Sequence, residues 1–227
     1  MAGFKVAIDG PAGSGKSSIS KNVAHKLGMT HIDTGAMYRA VTLLAIENQI
    51  DMNDESQYHF LEDVHITYKD DHIYIGDRIV EKEIRSKAVT DHVSLVSSFP
   101  YVRKKLVEIQ QKLGETNNII MDGRDIGTVV LPDADLKIFL VADVRERAKR
   151  RQQDKQNQGY EVDIEKLIDE ITRRDQLDSQ RKISPLKKAE DAIVVDSTHM
   201  TLQQTVKKII ELIQSAKGVI NEWFYNP

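Results

Sequence analysis

The chain has 227 residues, 30% of them charged, with a formal net charge of -3 at neutral pH. That length suffices for one large α/β domain with its own core, and the near balance of charge excludes the global basic field with which nucleic-acid binders collect phosphate. Cysteine is absent, which excludes disulfides and thiolate chemistry and fits a reducing interior.

Phe4, Val6, Ala7 and Ile8 form a short apolar run of strand character that ends at Gly10. The next residues, Gly10-Pro11-Ala12-Gly13-Ser14-Gly15-Lys16-Ser17, match G-x-x-x-x-G-K-[ST] at every fixed position. The glycines let the backbone turn tightly and aim successive N–H groups inward, and a helix beginning near Lys16 adds the positive end of its dipole. Anionic oxygens are the expected guest, with Lys16 placed to reach β- and γ-phosphates and the Ser17 hydroxyl to ligate Mg²⁺. A glycine-rich turn that binds nothing is the alternative. The strand before it and the helix after it are the context that a phosphate loop demands, and they argue against that alternative.

Ile19, Val23 and Leu27 put one apolar stripe on the helix Ser17 to Leu27, with Gly28 as its C-cap. Met29 to Gly35 reads as a second strand and turn, followed by a helix from about Ala36 to Glu47. Asp33, Thr34 and Arg39 then fall just past the carboxyl end of a strand, where doubly wound sheets bind ligands. A solvated helix residue is the equal alternative for Arg39. Asp9 is placed inside the loop turn.

From about Ile50 to Phe99 the pattern changes. Val64 to Tyr68 and Ile73 to Ile75 alternate as a β-hairpin around Lys69-Asp70-Asp71-His72, and Arg78 to Val80 adds a third strand. This does not continue a β-α-β alternation, so a small β-rich insert outside the main sheet is expected, leading into a helical stretch from Glu83 to Ser98. Pro100 opens a helix from Tyr101 to Gly114. Arg103, Lys104 and Lys105 near its start read by themselves as a solvated face.

Asn118 to Asp122 is a buried-strand pattern ending in an acid, placed to hold a metal directly or through water, and Gly123 to Thr128 reads as a polar loop. Leu136 to Val141 and Ala192 to Asp196 complete five strands, and Thr201 to Ser215 is a last amphipathic helix. Strands separated by helices imply a parallel sheet with right-handed crossovers. Asn221 to Tyr225 is a short apolar tail that either docks on the body or meets a partner. Asp143 to Arg181 is the most polar stretch, and Gly159 between its two helical halves suggests a mobile helical hairpin. Its interleaved acids oppose nucleic-acid contact. Arg174, Asp178 and Arg181 share one helix face, suited to a second phosphate, with a salt-bridged solvated helix as the alternative.

No apolar run approaches the roughly 18 residues of a membrane helix, and Met1 leads almost directly into the first strand without the regions of a secretory leader, so a cytoplasmic protein is expected. A phosphate loop, arginines from several segments, an insert and a lid-like hairpin favour transfer to a small phosphorylated acceptor. Such an acceptor is already largely dianionic, its second pKa being ~6, and needs no catalytic base. The seven histidines lack metal-ligand spacing and read as surface or packing residues.

The segments GPAGSGKSS (10–18), DTGAMYR (33–39), FPYVR (99–103), DGRDIGTVVLPDA (122–134) and RDQLDSQRKISPL (174–186) resemble those of the bacterial cytidylate kinases, nearly end to end. The resemblance implies a P-loop NTPase-type α/β fold, a five-stranded parallel sheet flanked by helices, with an NMP-binding insert at about 50–99 and a lid at about 146–184 on a core of 1–49, 100–145 and 185–220. It implies transfer of the ATP γ-phosphoryl group to CMP or dCMP with Mg²⁺. ATP then falls on Gly10, Pro11, Ala12, Gly13, Ser14, Gly15, Lys16, Ser17 and Ser18, with Arg150. Arg39, Arg124, Arg174 and Arg181 grip acceptor and donor phosphates, and Lys16, Arg124, Arg174 and Arg181 are the expected catalytic set. Ser94, Arg103 and Asp125 match the family's cytosine contacts, Asp178 its sugar-hydroxyl contact, and Thr34 and Tyr38 join the acceptor set. Thr34 keeps the hydroxyl of a position that can be serine and adds a methyl. Ser17, Asp33 and Asp122 are the expected metal oxygens. The segment after Gly218 has no matched counterpart. The implied partners are ATP and CMP or dCMP, with no nucleic acid, no membrane and a monomeric state. Another small P-loop kinase, for adenylate, uridylate or a metabolite such as shikimate, or a nucleotide-dependent RNA-binding protein, are the rival readings.

Overall fold

A computed structural model describes residues 3–69, 71–115, 118–157 and 159–225, with side chains to residue 218. In chain order its elements are β1 (Lys5–Asp9), α1 (Lys16–Leu27), β2 (Thr30–Asp33), α2 (Thr34–Glu47), β3 (Ile66–Lys69), β4 (His72–Ile75), β5 (Arg78–Ile79), α3 (Lys87–Val96), α4 (Pro100–Leu113), β6 (Ile119–Gly123), β7 (Leu136–Val141), α5 (Val144–Asn157), α6 (Ile164–Gln180), β8 (Ile193–Asp196) and α7 (Leu202–Tyr225). The large sheet has five strands in the order β2-β6-β1-β7-β8. β1 pairs in parallel with β6 and β7, and β7 with β8.

The inner strands are apolar almost throughout because helices cover the sheet. Val6, Ile8, Ile120, Ile138 and Leu140 are buried with Ile19 and Val23 of α1 and Val206, Ile209 and Ile213 of α7. Each such side chain contributes about 1.5–3 kcal/mol of burial. Packing makes β1 rigid, and β1 delivers the phosphate loop. At Gly10 the chain comes so close to β7 that a Cβ would lie 2.1 Å from the Leu140 carbonyl oxygen, which leaves room for glycine alone.

The chain divides into two compact units, Met1–His31 with Thr116–Pro227, and Ile32–Glu115. The second carries the antiparallel sheet β3-β4-β5 with α2, α3 and α4. Its hairpin follows the sequence alternation, although Asp70 of the turn lies outside the described residues. A 3-10 turn at Glu55–Glu62 carries no hydrophobic period and was not legible. Asp54 starts it by accepting from the Ser56 N–H at 3.0 Å, and Tyr58 fixes it by packing on Phe99.

Three readings are corrected. Asp9 is the last residue of β1 rather than part of the turn, because it continues the register against Gly123. The loop after β6 winds into one π-helical turn at Ile126–Val130. The last helix runs past Ser215 to Tyr225; it includes the backbone of Trp223, Phe224 and Tyr225, whose side chains lie outside the described residues. No helix among the described residues is long and apolar enough to cross a membrane.

Candidate functional site

Gly13 and Gly15 adopt left-handed φ of 73° and 89°, conformations that glycine accepts without a Cβ penalty. Gly15 is also the N-cap of α1; it brings no side chain, so the first-turn N–H groups face outward as anion donors. Lys16 Nζ folds back to donate to the Pro11 carbonyl at 2.7 Å and to Ser14 Oγ at 3.3 Å. Burial holds this amine well below the ordinary lysine range; Arg124 and Arg174 add to that, and Asp122 and Asp9 oppose it. The arginine charges therefore reach the loop lysine.

Asp122, at the end of β6, is gripped on both oxygens. Oδ2 accepts from Ser17 Oγ at 2.7 Å, and Oδ1 lies 2.7 Å from Nε2 of the buried His31. Reading the histidines as surface or packing residues missed His31. A single histidine without metal-ligand spacing gives no signal, and only the pairing of strands brings it to Asp122. Mg²⁺ demands oxygen ligands and usually keeps several waters while sharing substrate phosphates. The Ser17 hydroxyl and the Asp122 carboxylate fit that requirement. The third expected metal oxygen, Asp33, caps α2 by accepting from the Ala36 N–H at 3.0 Å.

A second cluster forms around Asp178. Arg124 Nε donates to its Oδ2 at 2.8 Å, and Arg181 Nη1 lies 3.6 Å from Oδ1. Burial would push the Asp178 carboxyl up, but Arg124, Arg174 and Arg181 prevail and hold it below the ordinary range. Burial likewise disfavours the Arg124 charge, and Asp178 outweighs it. The helix ends at Gln180, so Arg181 reaches Asp178 from an extended C-cap rather than from a shared helix face. Its Nη2 donates to the Ser184 carbonyl at 2.8 Å. The salt-bridged alternative describes the outer part of the hairpin, where Arg145 pairs with Glu165 and Arg151 with Glu170.

Asp125 is buried just before the π turn. Asp9 sits behind it and accepts from the Ile126 and Gly127 N–H groups, each at 2.8 Å. Burial pushes the Asp9 carboxyl up to about 6, against the pull of those two bonds. The end of the loop-bearing strand thus holds the segment that presents Arg124 and Asp125. Arg150 donates to the Ser14 carbonyl at 3.5 Å and to the Ser197 carbonyl at 2.5 Å.

The second unit places its own residues. Thr34 and Tyr38 are buried on α2, and Arg39 Nη1 donates to the Ile84 carbonyl at 3.2 Å and to Thr90 Oγ1 at 3.0 Å. Arg103 is no solvated residue. It is 2% exposed, donates to the Ser97 carbonyl at 3.1 Å and lies 5.2 Å from the Tyr38 ring centre. Ser94 is half-buried on α3. An anion cradle, a fixed oxygen pair for a hard cation and arginines gathered at the loop lysine form the electrostatic kit of phosphoryl transfer.

The family model described as Cytidylate kinase matches residues 6–215. A relative named Cytidylate kinase from Acholeplasma laidlawii is 97% identical over 222 residues, 98% of this chain and all of that protein. Another of the same name, from Clostridioides difficile, is 45% identical over 214 residues, 94% of this chain and 99% of its own. Among solved structures, an uncharacterized protein from Eubacterium ventriosum superposes with a TM-score of 0.51 at 14% identity, covering 93% of this chain and 98% of its own; that likeness concerns the fold alone.

Proposed function

The chain belongs to the cytidylate kinase family, and on that premise we propose how its residues carry an ATP-dependent phosphoryl transfer to CMP or dCMP, which yields ADP and CDP or dCDP. The loop from Gly10 to Ser18 cradles the ATP phosphates, Lys16 follows the γ-phosphoryl group, and Arg150 lies along the nucleotide. Arg39, Arg124, Arg174 and Arg181 neutralise the acceptor phosphate and the charge that develops on the transferring group. Ser94, Arg103 and Asp125 are assigned to cytosine, and Thr34 and Tyr38 to the acceptor set; a carboxylate at Asp125 accepts from the N4 amino group and repels the oxygen that uracil has there. Asp178 serves the sugar hydroxyl while anchoring Arg124 and Arg181. Ser17, Asp122 and Asp33 are the oxygens that would hold Mg²⁺, which when bound with ATP neutralises charge on the β- and γ-phosphates.

In the chemical step an oxygen of the acceptor phosphate forms a bond to the γ-phosphorus as the bond from that phosphorus to the β,γ-bridging oxygen breaks, and ADP leaves. The acceptor oxygen is already deprotonated near neutral pH because the phosphate's second pKa is ~6. No general base is required, and positioning and electrostatics supply the catalysis. The observation that carries this reading is that α6 meets the loop, where Asp175, next to Arg174, accepts from the Ala12 N–H at 2.8 Å, while Asp178 one turn on holds Arg124 at 2.8 Å, which supports donor and acceptor phosphates meeting at the loop. The rival kinases and the RNA-binding reading are not favoured by the family match. Operation as a cytoplasmic monomer without nucleic acid or membrane belongs to the same proposal.

A coupled ADP-release assay across the common nucleoside monophosphates tests it. CMP and dCMP are expected to turn over fastest; AMP or UMP above CMP would overturn it.

A further inference from the structure

One residue of the phosphate loop, Ala12, is held through both of its flanking peptide groups by charged side chains of α5 and α6. The Ala12 N–H donates to Asp175 Oδ1 at 2.8 Å, and the Ala12 carbonyl accepts from Arg147 Nη1 at 2.7 Å. The same Nη1 donates to Asp175 Oδ2 at 2.6 Å, and Arg147 Nε donates to the Ala142 carbonyl at 2.9 Å. Ala12, carboxylate and guanidinium therefore close into a ring, anchored just past the end of β7. Ala12 and Arg147 are buried, so the charge-assisted bonds are shielded from the screening that weakens exposed pairs. Asp175 directly follows Arg174 on α6, so the helical turn that bears a proposed phosphate arginine is docked on the donor loop.

We propose that Asp175, acting with Arg147, is a positioning residue for the donor nucleotide. It fixes Ala12, thereby setting how the loop presents its N–H groups to the ATP phosphates. A carboxylate suits this place because one oxygen takes the peptide N–H while the other takes the guanidinium. Asparagine can keep the first bond and loses the charge that faces the second. The inference rests on the kinase reading above.

The test compares full-length wild type with Asp175→Ala and Asp175→Asn by kinetics that vary ATP and CMP separately, by calorimetric ATP binding and by thermal melting. Loss of a charge-assisted hydrogen bond predicts that Asp175→Ala raises both the Kd and the KM of ATP about tenfold. The KM of CMP stays within about twofold, the split expected when only donor binding is disturbed. Asp175→Asn recovers part of the ATP affinity. A clamp that merely stabilises the fold would lower the melting temperature without that split, so equal losses for ATP and CMP, or unchanged ATP affinity, overturn the proposal. Should Asp175→Ala fail to fold, Asp175→Asn decides the matter: a Kd and KM of ATP raised several-fold over wild type with the KM of CMP within about twofold are expected, and unchanged ATP affinity overturns it. Turnover of CMP by the wild type, measured alongside, tests the kinase reading separately. If that turnover is absent, the kinase reading fails while the ATP-binding comparison still judges the clamp.

Discussion

Ser17 and Asp122 are joined by a 2.7 Å hydrogen bond from the hydroxyl to Oδ2, which ties the first turn of α1 to the end of β6. Both oxygens are thereby aimed by packed secondary structure, and His31 holds the other side of the carboxylate at 2.7 Å.

Asp122→Asn preserves this shape and removes the charge. A lost metal carboxylate predicts a fall in kcat of about 10–100-fold together with a higher half-saturating Mg²⁺ concentration. A Mg²⁺ titration of initial velocity checks both. His31→Ala, which leaves a cavity and removes a buried partner of the carboxylate, is expected to cost about 1–3 kcal/mol in denaturant unfolding.

Around Asp178 the prediction concerns stability first. Arg124 is half-buried, its side chain 19% exposed, and removing the buried Asp178 takes away its bonded carboxylate, so Asp178→Ala is expected to lose about 1–3 kcal/mol in urea unfolding at pH 7. The Asp178 carboxyl sits below its unfolded value, so its contribution is fully present above the ordinary carboxylate range and fades as pH falls through the lower folded value. An acid unfolding series should show the wild type losing its advantage over the variant there.

Asp9 has the opposite sign. Its carboxyl is pushed up to about 6 from 3.8, so the native state binds a proton that the unfolded chain has already released. Stability therefore falls as pH rises from about 4 to 6, by on the order of 2–3 kcal/mol for this one group. Asp9→Asn removes that slope. It also offers one acceptor where Ile126 and Gly127 present two N–H groups, so it should be less stable than wild type at pH 4. Denaturant unfolding of both proteins across this range gives the difference.

Asp125→Ala is expected to raise the KM of CMP about tenfold or more, the discrimination typical of one base-edge contact, and to leave the KM of ATP within about twofold. Steady-state kinetics with each nucleotide varied in turn check this. Equal losses for both would give Asp125 a structural or metal role.

Much of the frame was legible because hydrophobic period and chemistry coincide there. The run before Gly10, the fixed spacing of the loop and the stripe Ile19, Val23, Leu27 each name one local structure, and the structure follows them. Arg103 shows why other residues were not. Its neighbours Lys104 and Lys105 suggest a solvated face, yet Arg103 shares the buried side of α4 with Leu106 and Gln110, a periodicity that a charge run obscures. His31, Asp9 and Asp175 owe their roles to contacts with Asp122, with the π turn and with Ala12, partners distant in sequence to which no local pattern points. Arg181 falls off the helix face expected of it because the Leu186 N–H donates to the Asp178 carbonyl at 2.8 Å, a bond across residues that carry no helix-stop glycine.

The destination of the γ-phosphoryl group is the central claim, and phosphorus NMR of ATP, CMP and Mg²⁺ incubated with the enzyme follows it directly. The account predicts ADP and CDP appearing in equal amounts with no inorganic phosphate. ADP accumulating with inorganic phosphate while CMP stays intact would contradict it.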